Sequence, residues 1–247
     1  MAHGIEAALM SQDQSTGEEP DSTPLESMRT LATLETGLAD NLRHIEIYTM
    51  DGLLSFFWHG PSDAENVVLM CGGAMGGVLG PADCLFQDLG VTLSAQGIAS
   101  IRIGYRRPND IDSCVHDLTA AADLAQRSGA ERFITMGHSF GGAPALQAAT
   151  VLAEHSAGCV LLATQSAGCE PAEDLATRIP VILFHGDKDE ILPFQASQMV
   201  QMMIGGGEFV LLPNAGHLLT EAAQELRERL ETWIPEQFTG HAESTAQ

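Results

Sequence analysis

The chain has 247 residues, enough for one large α/β domain or two small ones, and its 45% hydrophobic content suits a packed core. A balance of 33 acidic against 11 basic side chains gives a formal charge of −22, which excludes the basic surface that nucleic acids and anionic membranes require. No run of about 18 uncharged apolar residues marks a membrane span, and the N-terminus lacks the basic and apolar regions of a signal peptide. The five cysteines (Cys71, Cys84, Cys114, Cys159, Cys169) include no C-x-x-C pair, and Cys71 and Cys159 fall in apolar runs. They read as free thiols in a reducing cytoplasm.

Residues 1–40 are rich in Ser, Thr, Gln and Glu, with Arg29 the one Lys or Arg. They predict a flexible acidic arm, disordered up to Pro24 and helical over 25–38, where Leu31, Leu34 and Leu38 recur at helical spacing. The ordered domain is placed at 41–235, followed by a polar tail at 236–247. Within it, residues 44–49 alternate like a half-exposed strand, Asp51 and Gly52 signal a hairpin turn, and 53–58 form the returning strand. A short apolar strand, 67–71, runs into a glycine-rich loop at 72–77. A helix over 81–96 places Leu85, Leu89 and Leu93 on one face and stops at Gly97. Strand 98–103, the arginine-bearing loop 105–110 and helix 113–127 follow, the helix capped by Asp112 or Ser113 and stopped by Gly129. Next come strand 133–136 and helix 142–154. Three further apolar strands lie at 159–163, 181–184 and 209–212, with helices at 193–204 and 217–233. Six apolar strands separated by helices describe a mostly parallel sheet covered on both faces, and the hairpin brings the total to eight strands.

Between strand 133–136 and the next helix stands Gly137-His138-Ser139-Phe140-Gly141. Strand, tight turn with a central serine, then helix is the context of a nucleophile elbow. A serine lifted out of the sheet on a strained turn needs neighbours without a Cβ on either side. The alternative is a glycine-rich turn whose serine merely caps the helix. A serine hydroxyl needs a base to become nucleophilic, and the base needs an orienting acid. Two suitable stretches follow downstream strands: 185–193, with Asp187 and Asp189, and 213–217, ending in His217. In a parallel sheet the residues just past the strands converge on one rim, so distant positions meet there.

On these motifs, residues 43–234 resemble the α/β-hydrolase family, in which the chain order is Ser, Asp, His. His185-Gly186-x-x-Asp189-x-x-x-Pro193 is similar to the family's acid loop and implies Asp189 as triad acid, with Asp187 its rival. Asn214-Ala215-Gly216-His217 resembles the histidine loop and implies His217 as base; otherwise His217 is a helix-entry residue on a solvated loop. The resemblance also implies an oxyanion hole built from the backbone N–H of Phe140 and one from the loop after strand 67–71. There Gly73-Ala74-Met75-Gly76-Gly77 resembles a His-Gly-x-Gly-Gly loop, with Met75 at the donor position. Gly73 and Ala74 stand where His-Gly is usual, which leaves Ala74 open as the donor. A phosphate-cradling loop is disfavoured because no Lys-Ser/Thr follows.

Of the other histidines, His138 is expected beside the serine and His185 behind the acid loop. His44, His59, His116 and His155 show no metal-binding spacing, and no cofactor is implied. Arg102, Arg106 and Arg107 either face the rim, ready for a substrate carboxylate, or pair with acids such as Asp110 and Asp112. Only residues 164–180 separate two late strands, too few for a helical cap domain, so an open site is expected. Met75, Val78, Leu79, Phe140, Ile191 and Leu192 are candidate pocket residues and favour an uncharged small-molecule substrate. The reading is a serine hydrolase of carboxylic esters. Thioester, amide or carbon–carbon hydrolysis with the same triad, a non-catalytic receptor, and a partner-recruiting acidic arm are the alternatives.

Overall fold

In a parallel strand both faces are buried, so its side chains are apolar in unbroken runs and helices must cover both sides. The computed structural model, which describes residues 22–240, is built this way around one nine-stranded sheet. The strands are β1 (Thr30–Ala39), β2 (Leu42–Thr49), β3 (Gly52–His59), β4 (Asn66–Cys71), β5 (Ala99–Gly104), β6 (Arg132–His138), β7 (Ser156–Leu162), β8 (Val181–Gly186) and β9 (Glu208–Leu212). Their order is β1-β2-β3-β5-β4-β6-β7-β8-β9. β1, β2 and β3 form an antiparallel meander, β3 joins β5 antiparallel, and all pairs from β5 to β9 are parallel.

The helices are α1 (Pro81–Ser94), α2 (Ile111–Gln126), α3 (Gly142–Leu152), α4 (Gln195–Met203) and α5 (Ala223–Gly240). Alternate strand residues feed two cores. Leu69, Ile101, Phe133 and Leu161 pack with Leu118 of α2 and Leu146 of α3. Val68, Met70, Ile134 and Val160 pack with Leu85 and Leu89 of α1 and Leu226 and Leu230 of α5. The eight expected strands are all present. All five cysteines are free, four of them buried, and no helix among the described residues is long and apolar enough to cross a membrane.

Three expectations need correction. Residues 30–39 are not helical but form β1, which pairs antiparallel with β2 through a turn at Asp40 and Asn41. The only helical turn in 25–38 is a 3-10 turn at Glu26–Met28, which rests on α2: Leu25 N–H donates to Asp123 and Arg127 donates to Thr23 and Glu26. The sheet therefore begins before residue 41, and the part of the expected arm at 1–21 lies outside the described residues. Second, α2 is capped by Asp110, whose carboxylate accepts the Ser113 N–H at 3.1 Å, rather than by Asp112 or Ser113. Third, α5 starts at Ala223, after a 3-10 turn at Thr220–Ala222, and runs through Pro235 to Gly240. Buried Trp233, Ile234 and Phe238 hold that last stretch on the core, and Arg132 donates to the Phe238 carbonyl, so the missing proline N–H is tolerated. Of the expected tail, 241–247 lie outside the described residues.

The chain passes from β4 to β5 on one side, then returns past β4 to β6 on the other. This reversal opens a crevice beyond the carboxyl ends of β4 and β6, the place where open parallel sheets bind ligands.

Candidate active site

Ser139 follows β6 directly and carries a φ of 55°, a left-handed conformation that costs a non-glycine residue energy and is held here by its surroundings. A Cβ on Gly137 would overlap the carbonyl of Gly141, and one on Gly141 would overlap the carbonyl of Gly72. Both glycines are thus required by the close approach of backbones around the turn. The elbow is a sharp, fully built strand-to-helix turn, with α3 starting at Gly142.

The loops after β8 and β9 are stitched together. Asp187 N–H donates to the Leu212 carbonyl and Lys188 N–H to that of Ala215, both at 3.0 Å. Through this pairing they deliver two side chains to Ser139. His217 Nε2 lies 3.0 Å from Ser139 Oγ, and its Nδ1 lies 2.7 Å from Asp189 Oδ2. An ionised carboxylate can only accept, so Nδ1 carries the proton and Nε2 presents a lone pair to the serine hydroxyl. Asp189 Oδ1 accepts the N–H groups of Ile191 and Leu192 at 2.8 Å each. Burial alone would raise the Asp189 carboxyl, but these N–H groups and His217 outweigh it and hold the acid below the ordinary carboxylate range. The rival Asp187 points elsewhere: its Oδ1 accepts the Asn214 N–H at 2.6 Å and so braces the histidine loop.

His185 supports the acid loop from beneath, as expected. Its Nε2 faces both the Leu192 carbonyl at 3.0 Å and Asp189 Oδ2 at 3.1 Å, while Nδ1 meets Ser197 Oγ at 2.7 Å. Burial lowers the pKa of this ring, against the opposing pull of Leu192 and Asp189.

No family model and no curated protein matches the sequence; the likeness to known proteins is structural. Est1E from Butyrivibrio proteoclasticus superimposes with a TM-score of 0.66 at 17% identity, over 79% of this chain and 98% of that one. An α/β serine hydrolase homologue from Coxiella burnetii gives 0.63 at 20% identity, over 81% and 99% of the two chains. A serine hydrolase without a lid from Xanthomonas campestris gives 0.61 at 17% identity, over 81% and 98%. The chain has the α/β-hydrolase fold. Its sheet carries one strand more than the eight expected, β1 at the edge beside β2.

Within this hydrolase fold, Ser139, His138 and His217 line a cavity of about 510 Å³ together with residues 72–81, Ile191 and Leu218. Of the six expected pocket residues, Met75, Val78, Leu79 and Ile191 line it, whereas Phe140, which is buried, and Leu192 do not. Leu218 and Pro81 complete the wall and were not anticipated; Leu218 directly follows the histidine, the one signal that could have pointed to it. Between β8 and its predecessor, residues 164–180 hold two 3-10 turns and no cap helix.

The loop after β4 borders the same cavity. Met75 extends its side chain into the cavity mouth at 94% exposure. Gly73 of this loop comes close to the serine: a Cβ on it would stand 3.6 Å from Ser139 Cβ. None of the three arginines reaches the cavity. Arg106 forms a buried pair with Asp117, Nε to Oδ1 at 2.5 Å, and Arg107 pairs with Asp51. Arg102 is buried under the loop and donates to the Val78 carbonyl at 3.1 Å and to His59 Nε2 at 3.0 Å.

Proposed function

We propose that the protein is a serine hydrolase that cleaves carboxylic esters of small, uncharged substrates through an acyl-enzyme. The observation that carries this reading is the continuous relay from Asp189 through His217 to Ser139, with 2.7 and 3.0 Å contacts, on the wall of the cavity. Structural neighbours named as serine hydrolases support it. In the first half-reaction Ser139 Oγ attacks the ester carbonyl as His217 Nε2 takes its proton. Asp189 stabilises the imidazolium and keeps its tautomer. The same proton then passes to the leaving alcohol, and an acyl-enzyme remains. In the second, a water molecule gives its proton to His217 and attacks the acyl carbon; His217 returns the proton to Ser139 and the carboxylic acid departs.

The tetrahedral oxygen needs donors where its charge develops. Phe140 is the second residue of the 3-10 turn Ser139–Gly141, so its N–H has no acceptor within that turn. The second donor belongs to the loop after β4. Gly73, Ala74 and Met75 are its candidates, and the closeness of Gly73 to the nucleophile, where a Cβ would stand 3.6 Å from Ser139 Cβ, favours Gly73.

Hydrolysis of p-nitrophenyl acetate, butyrate and octanoate by the wild type and by Ser139→Ala, with fluorophosphonate labelling of both, tests the reading. Turnover and labelling by the wild type alone are expected. Labelling without ester turnover would move the substrate class to thioesters, amides or carbon–carbon bonds, and absence of both would favour a non-catalytic receptor.

A further inference from the structure

The cavity wall is almost wholly apolar or backbone. Apart from Ser139 and His217, its one polar side chain among the described residues is His138, inside the elbow. The His138 ring is tilted against that of His217, with centroids 5.0 Å apart, and its Nε2 lies 3.1 Å from the His217 carbonyl oxygen. A carbonyl can only accept, so Nε2 carries the ring proton. Burial pushes the ring's pKa down to about 4, so at neutral pH the ring is uncharged and Nδ1 is a bare lone pair. That atom has no hydrogen-bond partner among the described residues, yet it is not sealed in the core.

Gly73 shows where it points. The position a Cβ would take on that glycine lies 3.7 Å from His138 Nδ1 and 3.6 Å from Ser139 Cβ. Because residue 73 has no side chain, this small space between nucleophile and acceptor stays open to a substrate substituent. A small set of placed polar groups in an apolar pocket is what fixes ligand orientation. A site holding an acceptor also discriminates against analogues that leave it unpaired.

We propose that His138 Nδ1 is a specificity-determining acceptor, and that preferred substrates carry a hydroxyl or N–H group within a few bonds of the scissile carbonyl. This rests on the serine-hydrolase reading of the same site. Through Nε2 the residue also positions the backbone of His217. The two roles separate by substitution. In His138→Gln the side-chain amide reaches the Nε2 position and still donates to the His217 carbonyl, but nothing remains at the Nδ1 position.

The test compares kcat/KM for methyl 2-hydroxybutyrate against methyl butyrate, which probes the acyl side, and for 2-hydroxyethyl butyrate against ethyl butyrate, which probes the alcohol side. On at least one side, the ratio of hydroxylated to plain ester should fall roughly three- to tenfold from wild type to His138→Gln. Unchanged ratios on both sides would overturn the proposal. A second measurement needs neither turnover nor the variant's stability. In the wild type, the ring ¹⁵N resonance of His138 Nδ1 should move with the uncleavable ketone acetoin and not with butanone. If every ester and the fluorophosphonate are ignored, the hydrolase reading falls, while equal responses to the two ketones would sink the acceptor assignment on their own.

Discussion

Two carboxylates follow β8, and replacing each by asparagine ranks them. Asp189 accepts two backbone N–H groups through Oδ1 and His217 Nδ1–H through Oδ2. In Asp189→Asn the amide oxygen keeps the backbone pair, which turns the amide NH₂ toward His217. Facing a donor, His217 Nδ1 must become the acceptor, and its proton moves to Nε2, where it blocks proton transfer from Ser139. On the proposed mechanism the loss should be about 10³- to 10⁴-fold in kcat, or ~4–5.5 kcal/mol of transition-state stabilisation, the size seen in Ser-His-Asp enzymes. Asp187→Asn keeps an oxygen for the Asn214 N–H and touches neither histidine nor serine, so kcat should stay within about tenfold of wild type. Steady-state hydrolysis of p-nitrophenyl butyrate measures both, with thermal midpoints recorded to exclude unfolding. The reverse ranking in folded variants would refute the assignment.

Gly141→Ala forces a Cβ into the Gly72 carbonyl and should cost of order 3 kcal/mol or more in a urea titration; a near-neutral result would show that the elbow relaxes without strain. His59 is buried against Arg102, and burial with that cation lowers its pKa from 6.5 to about 4. Between these values the unfolded chain binds the extra proton, so stability is complete above pH 6.5 and falls toward pH 4 with a slope approaching ~1.4 kcal/mol per pH unit from this residue. His59→Gln should flatten that slope in urea midpoints taken across the window, and an unaltered slope would exclude His59 as its source. Asp117→Ala strands the buried Arg106 and should destabilise by about 3–5 kcal/mol, while the acyl-length profile of the folded fraction is retained; a changed profile would return Arg106 to the substrate site.

Most of the sheet was legible because burial on both faces leaves no freedom in the pattern: Val67 to Cys71, Cys159 to Leu162 and Val181 to Phe184 are apolar at every position. The candidate site was legible for a related reason: Ser139 follows β6 directly, and Asp189 and His217 stand three and five residues beyond the ends of β8 and β9. β1 escaped because all ten of its residues are exposed. No core constrains its alternation, and Leu31, Leu34 and Leu38 fall at helical spacing by coincidence. Its signals were local: threonines at 30, 33 and 36, and the Asp40-Asn41 turn. The sequence reads the register of the oxyanion loop from the trailing glycines 76 and 77, which puts Met75 at the donor position. Read instead by distance from the end of β4, Gly73, two residues beyond Cys71, is the competing candidate proposed above. The segment after Pro235 reads as a tail because it is polar, but burial of Ile234 and Phe238 on either side of the proline keeps the helix on the core despite the lost hydrogen bond.

Charge narrows the substrate further. The molecule carries −22 overall, and the side chains lining the cavity include no lysine or arginine among the described residues. Arg102 of β5 and Arg106 and Arg107 just beyond it are committed elsewhere, two to carboxylates and Arg102 to the Val78 carbonyl and a neutral His59. An anionic acyl group would approach against the net field and then lose its hydration beside Val78, Leu79 and Leu218 with no counter-charge to replace it. An uncharged ester meets neither penalty. For such a substrate, orientation has to come from hydrogen bonds rather than from an ion pair, and besides Ser139 and His217 the one side chain of the wall able to provide one, among the described residues, is His138.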